Sequence, residues 1–255
     1  GNSGTKVTLT IFRPSSKEEK IFAIKRQNIK IETVKKKMLE NNIGYIRLSE
    51  FNAQSAGDLL KMMNELAKEK MQSLILDLRN NPGGLLDSSV NVCEFFIKEN
   101  SLVVSTKGRD KALERNYYTA KKPAFSDIDL VVLINRGSAS ASEIVAGTMQ
   151  DYKRALIIGG NSFGKGSVQT VIPLGDGSAL KLTTSKYFAP KGAEIHGKGV
   201  VPDIVVEDAK ADPDPAKDAN PQEVSKDVEI KGPESDTQVM RAVDLLKAAK
   251  FYKGS

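Results

Sequence analysis

The chain reads as an α/β fold in which helices pack on a sheet. Three observations give this. Strand-like and helix-like segments alternate from residue 43 to 158. The strand-like segments "SLILDLRNN" (73–81) and "DLVVLIN" (129–135) begin as near-continuous apolar runs, the pattern of strands covered on both faces. The helix-like segments carry apolar residues three and four positions apart.

The elements follow in order. "TKVTLTIFRP" alternates with period two, setting Val7, Leu9 and Ile11 against Lys6, Thr8 and Thr10, which predicts a half-buried strand. "EEKIFAIKRQNIKIETV" predicts one or two more strands, and "IGYIRLSEF" another. "SAGDLLKMMNELAKEK" is the clearest helix, with Ser55 and Asp58 as its start signal and Leu59, Leu60, Met63, Leu66 and Ala67 as its buried stripe. The 73–81 strand then ends at "PGG". "LLDSSVNVCEFFIK" and "SEIVAGTMQDY" predict helices; "SLVVST" and "RALIIG" predict strands. "GSVQTVIPL" and "ALKLTTSKYFAP" form a hairpin across the "GDGS" turn. From about residue 206 the sequence turns Pro-, Asp- and Ala-rich, as a linker does. "DTQVMRAVDLLKAAKFY" closes the chain as an amphipathic helix capped by Asp236, and finds little core in its sequence neighbourhood.

Composition excludes several classes. Of 255 residues, 40% are hydrophobic and 27% charged, enough for a sizeable core. No apolar run approaches the roughly 18 residues of a membrane span. Tryptophan is absent and aromatics are sparse, which argues against a stacking surface for single strands. The net charge of +6 comes from scattered lysines, apart from "VKKK" at 34–37, and reads as solvated surface and not as a nucleic-acid face. Cys93 is the single cysteine, so neither an internal disulfide nor a thiolate metal site is available, and its apolar neighbours make it a buried small hydrophobe. The chain opens mid-pattern and without methionine, so it reads as part of a longer protein.

"INRGSASASEIVAG" raises the question of chemistry. Ser138, Ser140 and Ser142 stand on alternate positions between an apolar strand and a helix. A serine at such a turn has an exposed hydroxyl, and the helix N-terminus offers free N–H groups to an oxyanion. Ser140-x-x-Glu143 is equally a capping box, which would make Ser140 merely the start of the helix. A serine nucleophile needs a base. One candidate is His196, the single histidine, in a Gly-rich loop. The other is Lys165 in "NSFGKGSVQTV", where the strand period sets Lys165, Ser167 and Gln169 on one face and lets Gln169 orient the lysine. The same segment almost satisfies the phosphate-loop pattern through Gly159, Gly164 and Lys165, but Gly166 replaces the Ser or Thr, and a strand pattern follows instead of a helix.

Taken together, "LILDLRNNPGG" (74–84), "GSASASEI" (137–144), "FGKGSVQ" (163–169) and "GKGVVPDIVV" (197–206) resemble the carboxyl-terminal processing (tail-specific) proteases, a Ser/Lys peptidase family. The resemblance covers about residues 35–206 and implies an α/β core of the crotonase- and Clp-protease-like kind. It implies Ser140 as nucleophile, Lys165 as general base and Gln169 as its support, with an oxyanion hole from the N–H groups of Ala141 and Gly84. Asp151 matches a recurrent aspartate, read here as structural. No metal or cofactor is implied. The implied organisation is a strand-rich segment at 1–34, whose "GTKVTLTIFR" resembles only the closing strand of the family's PDZ domain, a peptidase core at 35–206, and a linker with a C-terminal helical arm at 207–255. The implied activity is serine endopeptidase cleavage near protein C-termini through an acyl-enzyme. The implied partners are substrate C-terminal tails, some of them membrane-associated, and a second copy of the chain in a homodimer, in a setting outside the cytoplasm. The alternatives are a catalytically inactive or regulated peptide-binding form of the same fold and, at a further remove, a nucleotide hydrolase.

Overall fold

The computed structural model describes residues 1–27, 32–207 and 232–253, without the side chains of Leu113 and Lys253. The described chain divides into two compact units, Gly1–Glu32 and Thr33–Ser255. The first is a hairpin of β1 (Lys6–Arg13) and β2 (Glu18–Lys25), with Val7 opposite Ile24 and Leu9 opposite Phe22. The sequence predicts a half-buried strand here. Instead Leu9, Ile11, Phe22 and Ile24 are exposed, because two strands supply no second layer to cover them. Part of the expected strand region at 18–34 and most of the expected linker, 208–231, lie outside the described residues.

The second unit begins with β3 (Val34–Met38), β4 (Ile43–Leu48), α1 (Ser55–Lys68), β5 (Ser73–Asp77) and α2 (Leu86–Glu94). It continues through β6 (Leu102–Gly108), β7 (Arg115–Tyr118), β8 (Asp129–Ile134), α3 (Ala141–Asp151) and β9 (Leu156–Gly159). It ends with β10 (Ser167–Pro173), β11 (Ala179–Phe188), β12 (Ile204–Val205) and α4 (Thr237–Lys253). Six strands form one sheet in the order β12-β9-β8-β5-β4-β3, parallel except for the antiparallel edge strand β3. A second, antiparallel sheet runs β10-β11-β6-β7. The α/β class holds.

Burial explains the apolar runs. Leu74, Leu76, Leu130, Val132, Ile134 and Ile157 point to one face, with Leu59 and Met63 of α1, Val92 and Cys93 of α2, and Ile144, Val145 and Met149 of α3. The alternate residues Ile75, Val131, Leu133 and Ile158 point to the other face, where Val239, Ala242, Val243 and Leu246 of α4 cover them. The C-terminal helix thus finds its core on the far face of the sheet, which is remote in sequence. Cys93 is fully buried, and burial pushes its thiol pKa up to about 12.

Three local expectations change. "VKKKM" is an edge strand: Val34 is buried, Lys35 and Lys37 face solvent, and Lys36 reaches Glu69 at 2.7 Å. Lysines on an edge strand discourage pairing with other chains, so a solvated charge run and a strand are compatible here. Four-residue β7 has too short a period to be read from sequence. At α1 the capping acceptor is Asn52, whose Oδ1 accepts the N–H of Gln54 at 2.8 Å and of Ser55 at 3.0 Å. The Ser55 hydroxyl instead donates to the Glu50 carbonyl at 2.8 Å.

The two-faced burial of β5 has a direct consequence. Ile75→Ala and Leu76→Ala each remove a fully buried side chain, from opposite faces. Each is expected to destabilise the protein by about 2–5 kcal/mol in urea unfolding. A near-neutral Ile75→Ala would mean that α4 does not cover that face.

Candidate active site

Three neighbouring parallel strands, β5, β8 and β9, end at the same edge of the sheet. The loops that leave them carry "RNNPGG", "NRGSAS" and "GNSFGKG". Crevices at the carboxyl ends of parallel strands are where open α/β sheets bind ligands. Topology therefore brings the three sequence motifs together.

The serines divide their work. Ser138 and Ser142 are completely buried. The Ser138 hydroxyl donates to the Leu78 carbonyl at 2.8 Å and accepts the Asn135 N–H at 3.0 Å. The Ser142 hydroxyl donates to the Asn81 carbonyl at 2.9 Å, which also accepts the Ala139 N–H at 3.0 Å. Both serines sew the α3 turn to the 78–83 loop. Ser140 alone is partly exposed, at φ 54° and ψ −112°, immediately before α3. A non-glycine residue with such angles is strained by about 1–3 kcal/mol, and strain of this kind collects at functional sites. It sharpens the strand-to-helix turn that carries Ser140.

Two backbone N–H groups remain for an anion. Gly83, at φ 97°, packs so closely that a Cβ there would lie 2.6 Å from the Ala139 carbonyl oxygen and 2.8 Å from the Ala141 nitrogen. Its own N–H donates to Asn81 Oδ1 at 2.9 Å. Gly84 backs onto the Phe51 carbonyl, which a Cβ would meet at 2.0 Å. Among the described residues the N–H groups of Gly84 and Ala141 have no acceptor. Gly84 is exposed, and Ala141 is the first residue of α3.

Glu143 is the residue whose importance sequence reading missed. It is 0% exposed. Its Oε2 accepts the N–H of Ser140 at 2.8 Å and of Lys165 at 2.9 Å. Its Oε1 accepts the N–H of Gly164 at 2.6 Å and the hydroxyl of Ser162 at 2.5 Å. Four donors match the acceptor capacity of an ionised carboxylate. The first turn of α3 adds its favourable dipole. The capping box is visible in the sequence, but the three donors from 162–165 are not, since they arrive through the fold.

The Gly-Lys-Gly segment is held on its other side by residues 195–200. Gly164, at φ 90°, accepts the Gly197 N–H through its carbonyl at 2.9 Å. A Cβ on Gly166 would fall 2.3 Å from the His196 nitrogen, so only glycine fits. The Lys165 side chain is exposed, and so are Gln169 and His196. Lys165 sits in the loop before β10, and Gln169 lies on the edge strand β10, opposite Thr183. Among the described residues no hydrogen bond joins the Ser140 hydroxyl, Lys165 Nζ and Gln169 to one another. The structure thus gathers the backbones that carry Ser140 and Lys165 on one carboxylate and leaves the lysine side chain in solvent. Asp151 accepts the Lys191 N–H at 2.8 Å, a structural contact.

The phosphate-loop alternative meets a physical obstacle. The N–H groups of Gly164 and Lys165, which would cradle a phosphate, already face the Glu143 carboxylate. A strand, not a helix, follows. No group of three His, Cys, Asp or Glu side chains among the described residues converges on a metal-sized site.

Residues 42–206, more than half of the chain, match the model of peptidase family S41. A carboxy-terminal-processing protease of Bartonella bacilliformis is 46% identical over 212 residues, which are 81% of this chain and 48% of that protein. The solved photosystem II D1 C-terminal processing protease is 33% identical with a TM-score of 0.63, over 81% of this chain and 57% of that one. Mature CPAF shares the fold at 15% identity and a TM-score of 0.51, over 78% of this chain and 62% of its own. The chain spans about half the length of the curated relative it matches. With a family match that runs through all three site loops, the chain belongs to peptidase family S41.

Proposed function

We propose that the chain carries the catalytic core of a serine endopeptidase that cleaves proteins near their C-termini, with Ser140 as nucleophile and Lys165 as general base. One observation supports this above the others. The buried Glu143 carboxylate ties the Ser140 and Lys165 backbones together beside two N–H groups that have no acceptor among the described residues.

The mechanism follows from these positions. A substrate tail lies extended against a strand edge near the site. Neutral Lys165 takes the Ser140 hydroxyl proton as the oxygen attacks the scissile carbonyl. The tetrahedral oxyanion accepts hydrogen bonds from the Ala141 and Gly84 N–H groups. The Lys165 ammonium returns its proton to the leaving amine as the C–N bond breaks and an acyl-Ser140 ester forms. Lys165 then deprotonates water, which hydrolyses the ester and restores the Ser140 hydroxyl. Gln169 steadies the lysine. From the family likeness we extend the proposal to a homodimer that works outside the cytoplasm on unfolded or membrane-associated proteins.

A second reading, a regulated form held inactive, draws on the missing hydrogen bond between Ser140 and Lys165. Catalytic hydrogen bonds often tighten only in the complex, and the lysine stem is free to rotate. The two readings separate on whether substrate alone switches on cleavage.

Cleavage of an unfolded protein with an apolar C-terminus tests the proposal. Ser140→Ala and Lys165→Ala are expected to lose at least about a thousandfold in kcat, and His196→Ala to keep wild-type activity. Undiminished cleavage by Ser140→Ala would sink the proposal. Because only the neutral amine accepts a proton, kcat is expected to rise towards alkaline pH; a rise centred near pH 6.5 would assign the base to His196 instead. Gly166→Ala forces a Cβ into the His196 backbone and is expected to lower kcat while Ser140 and Lys165 remain present. Wild-type kcat in that variant would show that the loop's fit does not matter.

A further inference from the structure

The loop that presents Gly84 is rooted in an ion-pair network that reaches the C-terminal helix. Arg79 is 6% exposed and engaged at every guanidinium nitrogen. Its Nε and Nη2 donate to Asp77 Oδ1 and Oδ2 at 3.0 and 2.7 Å. Its Nη1 donates to both carboxylate oxygens of Asp236, at 3.0 and 2.9 Å, and to Gln238 Oε1 at 2.9 Å. Asp77 is fully buried and also accepts the Tyr45 hydroxyl at 2.7 Å, with Arg47 at 3.8 Å. Two carboxylates and two guanidiniums balance. Removing one member of such a buried set leaves a charge poorly compensated.

Asp236 does two things at once. Its Oδ1 caps α4 by accepting the N–H groups of Gln238 and Val239, both at 3.0 Å. The same carboxylate clamps Arg79. Gln238 Nε2 donates to the Val206 carbonyl at 2.7 Å, which fastens this corner to the end of β12. From Arg79 the chain turns at Asn80, φ 57°, into Asn81. Asn81 Nδ2 donates to the Leu48 carbonyl at 2.8 Å, and Asn81 Oδ1 and carbonyl oxygen hold Gly83, Ala139 and Ser142. Asn81 thereby links the residue after Arg79 and Asn80 to the glycines and to the Ser140 turn. Covalently, Asp236 lies 157 residues from Arg79.

We propose that Asp236 is a positioning residue for the Ser140 site: from the N-cap of the C-terminal helix it clamps Arg79 and so holds the loop that offers the Gly84 N–H. This rests on the proteolytic reading of that site. Docking of α4 is then a condition for activity, and any partner that lifts the helix start off Arg79 lowers turnover without touching Ser140.

The test uses the intact chain and two readouts. Asp236→Asn keeps a capping oxygen but removes the charge. Lys247→Ala removes an exposed tie between the middle of α4 and Glu40, away from the loop. For Asp236→Asn, kcat is expected to fall about tenfold or more with KM within twofold, and the hydrogen-bonded amides of Asn81 and Gly83 to exchange faster with deuterium. For Lys247→Ala both are expected to stay at wild-type values. Arg79→Ala combined with Asp236→Asn, which keeps a capping oxygen, is expected to have a kcat no lower than Arg79→Ala alone, since the two act through each other. Wild-type kcat and wild-type exchange in Asp236→Asn would overturn the proposal. So would equal losses in Asp236→Asn and Lys247→Ala, because helix packing alone would then explain them. If wild type fails to cleave any substrate, the proteolytic reading falls, and the exchange of the Asn81 and Gly83 amides still decides whether Asp236 holds the loop.

Discussion

The site depends on one buried carboxylate. Glu143 accepts hydrogen bonds from two chain segments that share no secondary structure, the start of α3 and the Gly-Lys-Gly loop. Burying a charge is costly unless it is fully hydrogen-bonded, and here four donors meet it. Each bond also satisfies an N–H or O–H that would be expensive to bury alone, at about 1–3 kcal/mol per unpaired group. The carboxylate and its donors need each other, so their separation is set within hydrogen-bond tolerance. That rigidity sits in the backbone, while the Lys165 side chain stands in solvent.

Around this clamp the close packing is made by glycines and by buried serines. Gly83 touches Ala139 and Ala141, Gly84 touches Phe51, and Gly166 touches His196, all at distances that exclude a Cβ. Ser138 and Ser142 lace the turn on either side of Ser140 and, with the Ser140 N–H bond to Glu143, hold its strained φ. Strain survives only where surrounding structure over-determines it. The parallel sheet supplies that frame, since β5, β8 and β9 end side by side and are packed on both faces.

Much of this was legible in the sequence, for physical reasons. Apolar runs at 73–78 and 129–134 carry the signature of doubly covered strands, and the period of 55–68 that of a helix. The motif loops announce themselves through glycines that only special backbone geometry needs. What the sequence hid was long-range. Glu143 reads as the far half of a capping box, while three of its four donors come from residues 162–165. Asp236 reads as a helix cap, while its tie to Arg79 appears only when α4 lies on the sheet. The edge strand at 34–38 hid behind its lysines, and Asn52 serves the start of α1 because Ser55 is already inside the helix with its hydroxyl bonded to the Glu50 carbonyl.

Glu143 holds the serine and lysine segments as one body. Residue-resolved hydrogen exchange on wild type and Glu143→Gln measures this directly. The amide group in the variant replaces one acceptor with a donor aimed at donors. The amides of Ser140, Gly164 and Lys165 are predicted to lose protection together, while those of β5 and β8 keep theirs. Unchanged protection at all three, or loss confined to Ser140, would contradict the account.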